Sequence, residues 1–168
     1  NSQLPFFEEM IPALVNQFEK SISSGETQYS NLAEPIEYLK KWDFTSSENS
    51  IALTLANEWG FQLDPILRRT YTDQGELDQV ENTRIFIKNL RPEQVLPQLQ
   101  AVITDLETKF GTWKMPWGEI NRFQRLSGDI DITYDDNQAS LPIAYTSVLW
   151  GALPAFKSSY QTNTKKRY

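Results

Sequence analysis

The sequence predicts an α+β chain that is predominantly α-helical, with four to five helices followed by a β hairpin or extended arm. Three observations carry this. Up to Phe110 the apolar residues recur at steps of three and four, which is the period of one helix face. From Ile130 onward they alternate, which is the period of a strand. The composition is globular, with 39% apolar and 12% aromatic residues, too rich in large apolar groups for a disordered chain. A length of 168 residues suits a single domain, read as 1–111 mainly helical and 112–168 irregular and β.

Phe7, Ile11, Leu14, Val15, Phe18 and Ile22 fall on one face of a first helix, which Ser23-Ser24-Gly25 stops. A second helix starts near Ser30, with Pro35 close to its first turn. Leu32, Ile36 and Leu39 form its buried stripe, and it ends near Trp42-Asp43. Ser46 or Ser47 is positioned to cap a third helix, with Ile51, Leu55, Trp59 and Leu63 on one face. Pro65 is expected to end or restart it. Ile85-Phe86-Ile87 suits either a helix or a short strand. Pro92 reads as the first residue of the next helix, whose stripe is Val95, Leu99, Val102, Leu106 and Phe110, with Gly111 as its C-cap. Trp113, Pro116, Trp117 and Gly118 then indicate an irregular connection. Ile130, Ile132 and Tyr134, the turn signal Asp135-Asp136-Asn137, and Leu141, Ile143 and Tyr145 predict a hairpin or two extended arms.

Composition excludes several chemistries. There are no cysteines and no histidines. That removes disulfides, thiolate and imidazole metal sites, the Ser-His-Asp triad and the Cys-His pair. Lys plus Arg is 16 and Asp plus Glu is 22, giving a net charge of −6. Such a chain repels a phosphate backbone, so no nucleic-acid partner is expected. No apolar run is long enough to span a membrane, and no basic-then-apolar stretch opens the chain as a signal peptide.

The remaining candidates read as structural. Asp129, Asp131, Asp135, Asp136 and Asn137 lack the central Gly and terminal Glu of an EF-hand loop. Alternate residues there are expected to point to solvent. Glu58 beside Trp59 and Glu119 beside Trp117-Gly118 are the glutamates singled out by context, read as solvated carboxylates or partners of Arg122 or Arg125. Lys165-Lys166-Arg167 reads as a solvated end. The five tryptophans are expected to pack between helices and at the junction with the β part. The other reading makes them a groove for a peptide, sugar or acyl ligand in a stand-alone binding module.

Three stretches carry a family resemblance. Leu39-Lys40-Lys41-Trp42-Asp43, followed by Ser50-Ile51-Ala52-Leu53 and Glu58-Trp59, is similar to an L-x-x-W-D segment of the penicillin acylases. Trp117-Gly118-Glu119-Ile120-Asn121-Arg122 resembles the W-G-x-x-x-R stretch shared by penicillin and acyl-homoserine-lactone acylases. Thr164 to Tyr168 resembles the lead-in to that family's G-N-S-F strand.

The resemblance implies a middle segment of the β chain of an N-terminal-nucleophile hydrolase, a self-processing enzyme that cleaves linear N-acyl amides. In that family a β-chain N-terminal Ser attacks the acyl carbon, its own amine acts as base, and backbone and Asn groups hold the oxyanion. This chain opens Asn1-Ser2, so the nucleophile is expected elsewhere in a longer protein. No catalytic residue or metal ligand is carried over. Trp42, Asp43, Ser50, Trp59, Trp117, Gly118 and Arg122 match the family's motifs and are expected to be structural. The resemblance further implies the rest of the same enzyme as partner, a calcium ion possible in the full-length enzyme with no cofactor in this segment, and a periplasmic or extracellular location.

Overall fold

A computed structural model of the protein describes residues 2–72, 79–124, 133–152 and 156–168. Helix α1 runs Pro5–Ser23 and buries Phe7, Met10, Ile11, Leu14 and Phe18. Gly25, at φ +85° with open space around it, turns the chain out of it. A 3-10 turn at Ser30–Leu32 leads into α2, Ala33–Lys40. Leu32, Ile36 and Leu39 are buried, as their spacing predicts.

Helix α3, Ile51–Thr72, is the centre of the fold and packs against α2, α4, α5 and α6. Two expectations change here. Pro65 lies inside the helix instead of ending it. The cap is Ser50, whose Oγ accepts from the Leu53 amide at 3.0 Å, in place of Ser46 or Ser47. From Ala52 to Gly60 every residue is buried, so this half of α3 has no solvent face. Its three polar members, Thr54, Asn57 and Glu58, must therefore be satisfied from within.

Helix α4, Gln79–Lys88, settles Ile85-Phe86-Ile87 as helix. Pro92 opens a 3-10 turn, Pro92–Gln94, and not the next α-helix, which is α5, Leu96–Phe110. Its stripe of Leu96, Leu99, Val102, Ile103 and Leu106 is buried against α3, and Gly111 caps it in the left-handed region at φ +76°. Burial of this kind contributes about 1.5–3 kcal/mol per large apolar side chain, and the core collects such residues from every long helix.

The connection expected to be irregular contains one helical turn, α6, Trp117–Ile120. Strand β1, Arg122–Phe123, pairs antiparallel with β2, Leu141–Pro142, with Arg122 opposite Pro142 and Phe123 opposite Leu141. Asp129, Ile130, Asp131 and Ile132 lie outside the described residues. The turn at Asp135 is present, with the Asn137 amide donating to Asp135 Oδ1 at 2.9 Å. Arg167 bridges to Asn121 in parallel and to Tyr160 in antiparallel fashion, so the last residues lie between two earlier segments.

Candidate functional site

The matched motif residues are spread from the end of α2 through α3 to α6 and β1, and each is tied into its own surroundings. Trp42 packs its ring 5.7 Å from that of Phe7 and donates Nε1–H to the Thr45 carbonyl at 3.1 Å. The Asp43 carboxylate accepts from the Thr45 amide at 3.0 Å and from its hydroxyl at 2.8 Å, and these bonds hold it below the usual carboxylate range. The Ser50 carbonyl accepts from the Trp117 amide at 3.1 Å, and the neighbouring Glu48 carbonyl from Gly118 at 2.7 Å. Gly118 tolerates no side chain, since a Cβ there would meet Glu48 Cβ at 2.8 Å and Pro142 Cβ at 2.9 Å. The Arg122 guanidinium donates to the Gly118 carbonyl at 2.8 Å, the Ser140 carbonyl at 2.6 Å and Ser140 Oγ at 3.0 Å. Trp59 donates Nε1–H to the Val95 carbonyl at 3.0 Å, tying α3 to the start of α5. Glu119 is exposed, and the Arg122 guanidinium is engaged with Gly118 and Ser140 instead; Arg125 lies outside the described residues.

Trp42, Trp59, Trp117 and Trp150 are buried in the core and are not gathered in one groove. Trp150 lies against α3 where Gly60 leaves room. A Cβ at Gly60 would sit 2.9 Å from the indole ring.

The polar residues of α3 have partners that sequence reading missed. Asn57 Oδ1 accepts from Trp150 Nε1–H at 2.8 Å and from the Thr146 hydroxyl. Glu58 is no solvated helix carboxylate. It is buried and paired with Arg167 at 3.2 Å, with the two side chains only 11% and 9% exposed. Burial pushes the Glu58 carboxyl above its ordinary value, and the charge of Arg167 offsets this only in part. Arg167, expected in a solvated end, also donates to the Ser158 carbonyl at 2.9 Å. Its guanidinium lies 4.7 Å from the Phe61 ring and 4.9 Å from that of Tyr160, a stacking that arginine favours. Lys109 Nζ sits 3.6 Å from the Tyr160 ring centroid. Burial, then the Glu58 charge, pushes the Tyr160 phenol well above its usual value. The one signal available in the sequence was the placement of Glu58 between Asn57 and Trp59.

A cavity of about 500 Å³ opens beside these groups, with Asn57, Phe61, Trp117, Leu149, Phe156 and Arg167 on its wall. Among the described residues no group of three acidic side chains is placed to hold an ion. Asp136 is not turned to solvent: it accepts from the Lys165 amide at 2.6 Å and from the Tyr168 hydroxyl at 3.1 Å. Burial, then that bond to Asp136, pushes the Tyr168 phenol up to about 12. Asp135 in turn accepts from the Asn137 amide.

The penicillin amidase family model matches residues 1–148. The chain belongs to the penicillin amidase family. No curated protein matches it. The family match includes every motif residue from Trp42 to Arg122 and stops before Thr164–Tyr168. Among the described residues no helix is long and apolar enough to cross a membrane.

Proposed function

We propose that this chain is a framework segment of a penicillin-amidase-type hydrolase that cleaves linear N-acyl amides, with the N-terminal Ser nucleophile and its oxyanion donors carried elsewhere in a longer protein. The family match over residues 1–148 carries the reading. The use of the motif side chains supports it. Trp42, Asp43, Ser50, Trp59 and Arg122 spend their polar atoms on neighbouring backbone and side chains, and Gly118 serves close packing. The partner is then the remainder of the same enzyme, the substrate a small N-acyl amide, and the compartment the periplasm or beyond.

The test is an assay of the 168-residue chain on chromogenic phenylacetyl and long-chain acyl amides. No turnover above background is expected. Turnover that tracks the chain through successive purification steps overturns the framework reading. A gene whose frame places a Ser-initiated β chain ahead of these residues is the matching genetic expectation.

A further inference from the structure

Residues 156–168 fold on themselves. Ser159 and Tyr168 share two main-chain hydrogen bonds at 3.0 Å, and Asn163, at φ +66°, sits in the turn where the Thr164 amide donates to the Gln161 carbonyl at 3.2 Å. This tail adds little to the apolar core. Among the described residues the core members lie between Leu4 and Ala152, and from the tail Tyr160 packs against them, partly buried. Apart from the Tyr168 ring stacked on Tyr134, what holds the tail is polar. The Arg167 guanidinium meets Glu58 on α3, the Ser158 hydroxyl donates to Asn121 Oδ1, and the Lys165 and Lys166 amides and the Tyr168 hydroxyl converge on Asp136. The Phe156 amide donates to the Thr146 carbonyl and the Arg167 amide to that of Ile120, both at 2.8 Å.

This seat is weaker than the packing of the helices. Apolar burial is what chiefly stabilises a fold, and the tail has little of it. Tyr160 Oη and Arg167 Nε are buried with no hydrogen-bond partner, and each gains water when the tail lifts, which returns part of the cost of breaking its polar contacts. The cavity of about 500 Å³ lies at the same boundary, lined by Asn57, Phe61 and Trp117 from the body and by Phe156, Ser158 and Ser159 from the tail. A unit with few apolar contacts and its own internal hydrogen bonds opens before the rest of a molecule does. We propose that residues 156–168 are a strap that lifts from α3 as one unit, at less than the free energy of global unfolding, and uncovers the inner wall of the cavity. The proposal rests on the contacts of the tail and stands whether or not the amidase reading does.

The test measures hydrogen exchange by NMR on the full chain, in urea concentrations below the unfolding transition. The amides of Phe156, Ser159 and Arg167 are expected to share one opening free energy and one non-zero urea slope. Their protection factors are expected to lie at least about tenfold below those of Val102 and Ile103 in α5. Thr146 lines the cavity and is 2% exposed, and the chain has no cysteine, so the thiol of Thr146→Cys reports the opening. Iodoacetamide is expected to label it at a rate that follows the strap amides and exceeds what global unfolding allows. Asp136→Asn removes the charge on which two strap amides and the Tyr168 hydroxyl converge. It is expected to raise both Phe156 exchange and thiol labelling about tenfold, with α5 unchanged. Where circular dichroism shows that Thr146→Cys is unfolded, exchange in the wild type and in Asp136→Asn decides the matter. Strap amides as protected as α5, urea slopes that are unequal or near zero, labelling at the rate of global unfolding, or no response to Asp136→Asn overturns the proposal.

Discussion

Glu58 and Arg167, 109 residues apart in the chain, meet as a buried ion pair in which one guanidinium nitrogen lies 3.2 Å and 3.4 Å from the two carboxylate oxygens. The pair joins the central helix to a segment held between Ile120–Arg122 and Ser158–Tyr160 by main-chain hydrogen bonds. Removing one charge strands the other in the core. Arg167→Met is therefore expected to destabilise the chain by about 3–5 kcal/mol in urea unfolding. Glu58→Leu with Arg167→Met is expected to cost much less than the sum of the single changes. Additive losses in the cycle would show that the two charges do not depend on one another.

The same pair sets a pH dependence. The folded Glu58 carboxyl titrates above its ordinary value of 4.5, because burial disfavours the charged form. A raised folded value means that the stabilising contribution is fully present below the unfolded value and is lost as pH rises through the folded one. Wild type is thus expected to gain stability relative to Glu58→Gln as pH falls from neutral toward about 4.5. Chemical unfolding of both proteins across that range checks the sign. A difference that is flat, or grows toward high pH, contradicts it.

Gly118→Ala tests the close approach of α6 to the segment before α3. The added methyl meets Glu48 Cβ and its carbonyl as well as Pro142, and backbone cannot swing aside as a side-chain end does. A loss of about 1–3 kcal/mol is expected from overpacking. Gly111→Ala is the contrast: space is open there, but φ is +76°, so the cost is the roughly 1 kcal/mol of forcing a side chain into the left-handed region. Thermal melts rank the two. Gly118→Ala melting no lower than Gly111→Ala removes the packing argument.

Arg122→Lys tests whether the planar fork matters. A guanidinium reaches the Gly118 carbonyl, the Ser140 carbonyl and Ser140 Oγ at once, whereas one ammonium cannot reproduce that geometry. A loss of about 1–3 kcal/mol is expected from the carbonyls left without a donor. Faster hydrogen exchange is expected at the Ile143 amide, which bonds to the Asn121 carbonyl. Unchanged exchange at Ile143 would mean that the pairing of β1 with β2 does not rely on this side chain.

What the sequence alone determined is what neighbours in the chain decide among themselves. The stripes of α1, α2 and α5 and the left-handed cap at Gly111 follow from spacing and residue type within a few turns, and the structure keeps them except at Ile22, which the end of α1 leaves exposed. The L-x-x-W-D and W-G-x-x-x-R stretches were legible for the same reason, since each lies within a dozen residues. Tertiary packing decided the rest. A periodic stripe says which face of a helix is apolar, but not whether its polar face is also covered, so Glu58 read as solvated until the first half of α3 proved to be enclosed. Pro65 stays helical because packing along α3 outweighs one missing backbone bond. Arg167 and Asp136 find partners about thirty or more residues away, and local composition carries no record of a contact made by folding.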